Sequence, residues 1–386
     1  MKSLAFIIVV TTCFSVNCLG QSAVADLCAK DLEVIPGFLL ENDTGAKDHL
    51  AQFGQKHFDD ALAKSKVAAL QVSDADGCEE VLNQYLRAWR KGHLAAAPGS
   101  LTKAAAGSPY AQTGTAPLRH APKFQILSDK TILLTLSGFG DENRLPLIAL
   151  LQQNHAALAK HPNWIIDVRA NGGGSDSSYE PILAWLLPDE SVSVGAMWLV
   201  TPANLQAQRD VCKIKDAPCD PETEKFINDA VAHMCTAPTG SLVPQDDKGG
   251  ITFDRQKSLE PQRPSRVAIL IDGWCASSCE EFLLAARQSF KVKLIGRRTF
   301  GSLDFSNLRP FALPSGERLL WYATSRSLRI PDLPVDLAGI PPDIYLPLAP
   351  GEHSEEEEVV RVQSWLEGGS LAPRKTSSNS KPSAGN

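Results

Sequence analysis

The chain has 386 residues, of which 43% are hydrophobic and 21% charged, and its formal net charge is -6. This balance is typical of a soluble globular protein and leaves room for one large domain or two of ordinary size. Nucleic-acid binding is not expected, because it needs a concentrated Lys/Arg surface and no basic stripe occurs here.

The N-terminus is predicted to be a signal peptide. Lys2 precedes an apolar run from Leu4 to Val10 that is too short to span a bilayer and fits a secretory h-region. Small residues follow, so cleavage is expected after Gly20 or after Ala25. A buried N-terminal strand and a lipoprotein anchored through Cys18 are the alternatives. We expect an exported protein, periplasmic or secreted, with no membrane span in the mature chain.

Of the nine cysteines, two fall in the predicted signal peptide and seven remain. In an oxidising compartment some of these should pair. We expect Cys28 to pair with Cys78, and two of the three residues Cys212, Cys219 and Cys235 to pair with each other. Because seven is an odd number, at least one thiol should stay free.

Cys275 and Cys279 are expected to be small buried packing residues rather than a disulfide. A bridge across so short a loop would strain the start of the helix predicted beside them. A Cys-rich zinc site is not expected, because the cysteines form no CxxC pair and no histidine stands at ligand spacing from them.

The first part of the chain, residues 26–98, is predicted to be helical. Apolar residues recur there at three- and four-residue spacing from Ala46 to Val72 and from Glu79 to Arg90. Residues 99–122 are rich in Ala, Gly, Pro, Ser and Thr, which predicts a loop.

Beyond that loop, strands and helices alternate, which is typical of βαβ units around a mixed or parallel sheet. The predicted strands are short apolar runs at 132–136, 164–168, 267–271 and 292–296. The predicted helices cover 144–160, a segment near 221–233, 277–288 and 355–367, the last one capped by Ser354 and followed by Gly368.

These patterns predict the domain organisation of an α/β protein. The expected parts are a signal peptide (1–20), an N-terminal helical subdomain (21–98), a catalytic domain (123–350) with a polar insertion or lid (200–262), and a low-complexity, disordered tail (370–386).

A glycine turn is the first candidate functional element. The strand at 164–168 runs into Asn171 and then Gly172–Gly174. Consecutive glycines let backbone N–H groups converge on one point, where they can hold an anion or a developing oxyanion. A plain tight turn and a phosphate loop are the alternatives, although no Gly-Lys-Ser/Thr follows to support the phosphate loop.

A serine at the start of a helix is the second element. Small residues follow the strand at 267–271 and lead to Ser277, with Glu280 three residues later. A helix N-terminus favours negative charge, so both a nucleophilic alkoxide and an oxyanion would be stabilised there. A capping box made by the same two residues is the alternative.

Together these elements resemble the tail-specific, C-terminal-processing serine peptidases and the related tricorn protease. That family carries a strand ending Asp-x-Arg-x-Asn-x-Gly-Gly, a Ser-x-x-Glu helix start, a Thr-Phe-Gly and a Gly-[Ile/Val]-x-Pro-Asp. In this chain they stand, in that order, at 167–174, 277–280, 299–301 and 339–343. The resemblance covers roughly residues 80–348 and implies a crotonase-like βαβ core with an N-terminal helical part.

The resemblance also implies roles. Ser277 would be the nucleophile, and Glu280 matches the family's glutamate beside it. The oxyanion donors would be the backbone N–H groups of Gly172, Gly173 and Ser278. We therefore expect the Ser277 hydroxyl to lie within roughly a nanometre of the glycine turn.

The general base departs from the best-known pattern. Processing peptidases carry a Lys directly after Thr-Phe-Gly, and Ser302 stands there in this chain. The tricorn branch instead uses an upstream His and a downstream acid, which His93 and Asp336 match. The resemblance thus implies the triad order His–Ser–Asp.

The predicted function is hydrolysis of peptide bonds in peptide or protein substrates, without a cofactor. Only about 30 residues separate His93 from the start of the predicted catalytic domain at residue 123, too few for the peptide-binding PDZ module that many relatives insert there. A non-catalytic ligand-binding protein on the same fold and an esterase or amidase remain the alternatives.

Overall fold

The computed structural model describes residues 16–99, 120–213, 219, 221–247, 249–255, 264–347 and 355–372. Most of the predicted signal peptide, the loop at 100–119, Ser354 and the tail beyond residue 372 lie outside the described residues. Among the described helices, none has the length and apolar character needed to cross a bilayer.

Helices and strands are mixed along the whole described chain. The α-helices are α1 (Val16–Asn42), α2 (Ala46–Phe53), α3 (Gln55–Ala69), α4 (Ala75–Trp89), α5 (Arg144–Gln153), α6 (His155–Lys160), α7 (Glu180–Leu186), α8 (Pro202–Asp210), α9 (Pro221–Thr236), α10 (Ser278–Ala286) and α11 (Glu355–Leu366). Short 3-10 turns lie at 141–143, 176–178 and 211–213.

The strands follow the same chain order. They are β1 (Ala95–Pro98), β2 (Lys123–Ile126), β3 (Thr131–Thr135), β4 (Asn163–Asp167), β5 (Glu190–Val194), β6 (Ala196–Leu199), β7 (Leu242–Pro244), β8 (Ile251–Arg255), β9 (Arg266–Ile271), β10 (Val292–Gly296), β11 (Phe305–Ala312), β12 (Arg318–Ser327) and β13 (Ile344–Tyr345).

The chain divides into two compact units, each assembled from three stretches. The histidine unit, which contains His93, comprises residues 1–109, 195–250 and 304–330. The serine unit, which contains Ser277, comprises residues 110–194, 251–303 and 331–386. The domain boundaries expected from sequence stay a prediction.

The histidine unit packs α1 to α4 around an apolar core. Cys28, Leu32, Ile35 and Leu39 recur at helical spacing on one face of α1 and are fully buried. A disulfide between Cys28 and Cys78 ties α1 to α4, as expected from the sequence. An antiparallel sheet in the order β1-β12-β6-β7, with β11 paired to β12, completes the unit.

The serine unit is built on a sheet in the order β13-β10-β9-β4-β3-β2, parallel except for the β2–β3 pair. Its central strands are apolar at nearly every position because both faces are covered. Ile166 and Ile269 face a cluster that includes Phe282 of α10, whereas Ile165 and Leu270 face a second cluster that includes Val362 of α11.

Several predicted elements change in the structure. The helix expected from Ala46 to Val72 is two helices, because Gly54 adopts φ 80 between them. The helix expected at 144–160 breaks at Asn154. The region expected to be helical up to residue 98 ends in strand β1, because Ala95–Pro98 pair with β12.

The polar insertion predicted at 200–262 contains the helix expected near 221–233, which is α9, and in addition α8, β7 and β8, which were not expected. Within it, Cys212 pairs with Cys219, as one of the expected combinations. Cys235 carries no disulfide and is exposed.

Candidate active site

Three neighbouring parallel strands place the motif loops at one edge of the serine-unit sheet. β9 lies between β4 and β10, and the register pairs Asp167 with Leu270 and Ile271 with Gly296. The carboxyl ends of these strands therefore meet, as they do at the ligand-binding edge of open α/β sheets. The glycine turn follows β4, the Ser277 segment follows β9 and the Thr-Phe-Gly segment follows β10.

Asn171 shapes the glycine turn. Its side-chain amide donates to the Leu136 carbonyl at 2.8 Å, and its Oδ1 accepts the Gly173 N–H at 2.9 Å. Its own carbonyl accepts the Ala276 N–H at 3.2 Å, which ties the turn directly to the Ser277 segment. Sequence analysis did not single out Asn171, although the family motif contains it.

Ser277 occupies a sharp turn between β9 and α10. Its backbone has φ 57 and ψ -125, a conformation that costs a non-glycine residue on the order of 1–3 kcal/mol. A strained strand-to-helix turn also exposes the nucleophilic serine of α/β-hydrolases. The residue is half-buried, and with Glu280 it forms the capping box that the sequence allowed as the alternative.

Gly173 packs directly against this turn. A Cβ added to Gly173, which has φ 90, would lie 2.6 Å from the Ala276 carbonyl oxygen, 2.9 Å from Ser277 Cβ and 3.0 Å from the Ser278 nitrogen. Only glycine permits this approach. The expected proximity of the serine to the glycine turn is therefore confirmed.

Two backbone amides at the turn are open to a ligand. Within the described part of the chain, the N–H groups of Gly172 and Ser278 have no hydrogen-bond acceptor, whereas the Gly173 N–H already donates to Asn171. Ser278 is the first residue of α10, where the helix dipole favours negative charge, and its hydroxyl donates to the Gly174 carbonyl at 2.9 Å. Together these groups can stabilise an oxyanion.

Glu280 holds the loop after β10 against the Ser277 turn. This fully buried carboxylate accepts hydrogen bonds from the Thr299 hydroxyl (2.5 Å) and from the N–H groups of Gly301 (2.8 Å), Ser302 (2.9 Å) and Ser277 (3.2 Å). Burial raises the pKa of Glu280, and these four donors act in the opposite direction. Both oxygens of this side chain are therefore occupied by hydrogen bonds that hold the loop after β10 and the Ser277 turn in place.

Ser302, which stands where processing peptidases carry Lys, also belongs to this network. Its side chain is almost fully buried, and its carbonyl accepts the Ser277 N–H at 3.0 Å. The segment is closed by Gly301, whose added Cβ would lie 2.8 Å from the Gly339 nitrogen. The Thr-Phe-Gly and Gly-Ile-Pro-Pro-Asp motifs thus pack together.

Asp336 lies in the same closing segment of the serine unit. Its Oδ1 accepts the Leu303 N–H at 2.6 Å, and the side chain is half-buried. Its proposed role in orienting the histidine stays a prediction. Asp343, at the end of the motif, accepts the Leu294 N–H at 2.8 Å and so fixes the segment to β10.

His93 lies in the histidine unit, in a turn after α4, with φ 53. Its Nδ1 lies 2.6 Å from the Phe305 carbonyl oxygen. Because a carbonyl only accepts, Nδ1 carries the proton and Nε2 is the basic nitrogen of the neutral ring. Burial, with a contribution from the charge of Arg90, lowers the pKa of His93 to about 4, so the ring is neutral at pH 7.

A buried ion pair holds the His93 turn. Arg90 makes two hydrogen bonds of 2.8 Å to the carboxylate of Asp43 and donates to the carbonyls of Gly92 and His93, both at 2.9 Å. Both side chains of the pair are 1% exposed. Sequence analysis missed this pair, and it missed Phe305 because a backbone carbonyl has no side-chain signature.

Asp167 and Arg169, which precede the glycine turn, form a buried ion pair. Their closest contact is 2.6 Å, and Arg169 also reaches Glu358 of α11 at 2.7 Å. These charges are committed to each other and anchor the end of β4 to α11.

The prediction for Cys275 and Cys279 is wrong. The two residues form a disulfide that spans the Ser277 turn. The sharp turn at Ser277 brings their Cα atoms to 5.4 Å, within the range that a disulfide needs, so the short sequence separation does not prevent the bridge.

Comparisons with known proteins agree with this geometry. The profile of peptidase family S41 matches residues 130–346, more than half of the chain. No curated protein sequence matches closely enough to be called a relative. A serine-to-alanine mutant of CPAF matches with a TM-score of 0.59 and 10% identity, covering 91% of this chain and 100% of that one.

Mature CPAF matches with a TM-score of 0.53 and 12% identity, covering 84% of this chain and 93% of its own. At these identities the two likenesses show a shared fold. The photosystem II D1 C-terminal processing protease matches with a TM-score of 0.40 and 11% identity over 84% of this chain and 93% of its own. From the profile match and the order of its motifs, this chain belongs to peptidase family S41.

Proposed function

We propose that this protein is a serine peptidase with Ser277 as its nucleophile. The observation that carries the proposal is the strained turn that places Ser277 against Gly173, beside a Ser278 N–H for which none of the described residues provides an acceptor. In this reaction the Ser277 Oγ attacks a peptide carbonyl, and the Ser278 amide with the Gly172–Gly173 turn stabilises the oxyanion. Gly172 is the better donor of that turn, since the Gly173 N–H already has an acceptor.

His93 is the proposed general base. Its neutral ring, with Nδ1–H held by the Phe305 carbonyl, suits Nε2 to take the Ser277 proton and pass it to the leaving amine. Water then hydrolyses the acyl-enzyme. Asp336 remains the proposed acid of the triad by its motif position, and Glu280 acts by positioning.

We also propose that the serine unit has a crotonase-like core. The βαβ arrangement around β4, β9 and β10 supports a crotonase-like core. The roughly 30 residues between His93 and β2 are too few for a PDZ module, so selection of substrate tails by such a module is not part of the proposed function.

We further propose that the protein is exported to the periplasm or secreted. The three disulfides among the described residues support an oxidising compartment, in line with the N-terminal apolar run. N-terminal sequencing of the protein recovered outside the cytoplasm should give a chain that begins after Gly20 or after Ala25. Recovery of a chain that retains Met1 would contradict export through a cleaved signal.

A fluorophosphonate probe tests the nucleophile. We expect the wild type to be labelled, Ser277→Ala to be unlabelled, and Ser193→Ala, which changes an exposed serine of the same unit, to be labelled like the wild type. Activity should fall by at least about ten-thousandfold in Ser277→Ala. An unlabelled wild type would favour a ligand-binding protein, and cleavage of esters without peptides in a library digest would favour an esterase.

A further inference from the structure

The Cys275–Cys279 disulfide differs from the other two bridges in where it lies. Cys28–Cys78 and Cys212–Cys219 belong to the histidine unit, with sequence separations of 50 and 7. Cys275–Cys279 has a separation of 4, and Ser277 is the middle residue of the ring that it closes. We propose that this disulfide is a positioning element for Ser277, and that the site is fully competent only when the bridge is closed.

Loop length argues for a local role. A bridge limits the freedom of the unfolded chain more when the loop it closes is long, so a separation of 4 gives the smallest general stabilisation of the three. What a five-residue ring can restrict strongly is the backbone inside it. That backbone contains the positive-φ conformation of Ser277.

The ends of the ring are anchored, which directs the restriction onto its centre. At one end, the Cys275 N–H donates to the Asp272 carbonyl at 3.2 Å and the Cys275 carbonyl accepts the Phe300 N–H at 2.9 Å. At the other end, Cys279 lies in the first turn of α10. Both cysteine side chains are fully buried in the core that contains Phe282. With the bridge open, the turn can relax toward negative φ, which would move the Ser277 hydroxyl away from the Ser278 amide.

Closure of the bridge has a defined chemistry. Two thiols exchange with a disulfide-bearing oxidant, so that the Cys275–Cys279 bond forms and two thiols leave on the reduced oxidant. In a reducing compartment the bridge stays open and the turn is less well fixed. The inference rests on the proposed function, and it makes hydrolytic activity depend on arrival in an oxidising compartment.

The test separates reaction from binding with the fluorophosphonate probe. We compare the inactivation rate constant kinact and the apparent affinity KI for three oxidised proteins: wild type, Cys275→Ala/Cys279→Ala, and the control Cys212→Ala/Cys219→Ala. The first double variant should lose at least about tenfold in kinact, the scale of one strained conformation, with KI within about twofold. The control should match the wild type in both constants.

A second measurement covers a variant that fails to fold. Wild type is treated with dithiothreitol, each bridge is followed by alkylation and mass spectrometry, and the protein is then reoxidised. Labelling should fall in step with reduction of Cys275–Cys279 and return when that bridge reforms. Equal kinact with this bridge reduced and the fold retained, or a matching fall in kinact for the control variant, would overturn the inference alone. Absence of labelling in the oxidised wild type would overturn the proposed function as well.

Discussion

The turns that carry Ser277 and His93 are held by opposite chemistry. Both residues have positive φ, 57 and 53 respectively. Behind Ser277, the carboxylate of Glu280 collects four hydrogen-bond donors. Behind His93, the guanidinium of Arg90 collects two backbone carbonyls and the carboxylate of Asp43.

This contrast follows from what each turn leaves unsatisfied. The start of α10 and the loop after β10 present backbone N–H groups, which an anion satisfies, whereas the turn after α4 presents the carbonyls of Gly92 and His93, which a cation satisfies. Each of these two strained turns is therefore held by a buried side chain, Glu280 or Arg90, whose charge matches the backbone groups around it. Glu280 and Arg90 are called the hubs of the two turns below. Arg90 is a buried cation that needs the carboxylate of Asp43 as its counter-charge, whereas Glu280 is bound by uncharged hydrogen-bond donors. We therefore expect mutations at the two turns to lower the free energy of unfolding by different amounts.

The largest effect is expected at the hub of the histidine turn. Asp43→Asn removes the counter-charge of a fully buried Arg90 and should lower the free energy of unfolding by about 3–5 kcal/mol. The matched control is Asp60→Asn, which breaks the exposed pair with Lys56 and should change it by less than about 0.5 kcal/mol. Urea unfolding of both variants gives the comparison, and similar losses would contradict it.

The hub of the serine turn should respond slightly less. Glu280→Gln keeps the shape of the side chain but turns one acceptor into a donor that faces other donors, for an expected loss of about 2–4 kcal/mol in the free energy of unfolding. Glu356→Gln on the exposed face of α11 serves as the control. Probe labelling at a temperature where both variants are folded should also be slower for Glu280→Gln, and an unchanged rate would remove its positioning role.

The variant His93→Ala tests the chemical role of the histidine turn. We expect turnover to fall by at least about a hundredfold through loss of the general base, while His57→Ala, at an exposed histidine, leaves it unchanged. Wild-type activity should persist at pH 5 and fall as the pH approaches about 4, where His93 becomes protonated. Near-normal turnover of His93→Ala would mean that the general base is Ser302 or a distant Lys instead of His93.

The lowered pKa of His93 also predicts how the stability of the protein depends on pH. The folded protein holds His93 neutral down to about pH 4, whereas the unfolded chain protonates it near pH 6.5. Between these values the unfolded state binds more protons, so stability falls as the pH is lowered from 6.5 to 4. Between pH 6.5 and 4, the free energy of unfolding of His93→Ala should fall less steeply than that of the wild type, with a slope smaller by up to the contribution of one bound proton. Urea unfolding of both proteins across this range measures the two slopes, and equal slopes would argue against a buried neutral ring.

The smallest expected difference concerns the contact between the glycine turn and Ser277. Gly173 and Gly240 have φ 90 and 87, but an added Cβ is within 2.9 Å of Ser277 Cβ in the first case and meets nothing within 4 Å in the second. Gly240→Ala should cost about 1–2 kcal/mol for its backbone alone, and Gly173→Ala about 1–3 kcal/mol more through overlap. Thermal unfolding of both variants measures the excess, and equal losses would mean that the contact is easily relieved.

The sequence predicts the core of the serine unit well because its elements carry local signals. Buried apolar runs located β4, β9 and β10 to within a residue, and small residues after β9 located the turn at Ser277. The motif order then brought the glycine turn and the serine together correctly. These features depend on neighbours in the chain, which a sequence displays directly.

What the sequence did not predict depends on partners distant in the chain. β11 mixes polar, charged and apolar residues and is stabilised by pairing with β12, so no apolar run marks it. β12 does carry an apolar run at 319–323, which was not recognised as a strand. The Glu280 hub, the Arg90–Asp43 pair and the Phe305 carbonyl need tertiary structure to be recognised. The Cys275–Cys279 bridge depends on the sharp turn at Ser277, which brings the two cysteines together and which their spacing in the sequence does not reveal.

The most direct test of the account is a crystal structure of the protein after reaction with a peptidyl phosphonate. We predict a bond from the phosphorus to Ser277 Oγ, with a phosphoryl oxygen at about 3 Å from the Ser278 nitrogen. A bond to any other residue, or a phosphoryl oxygen that faces solvent without an amide donor, would contradict the account.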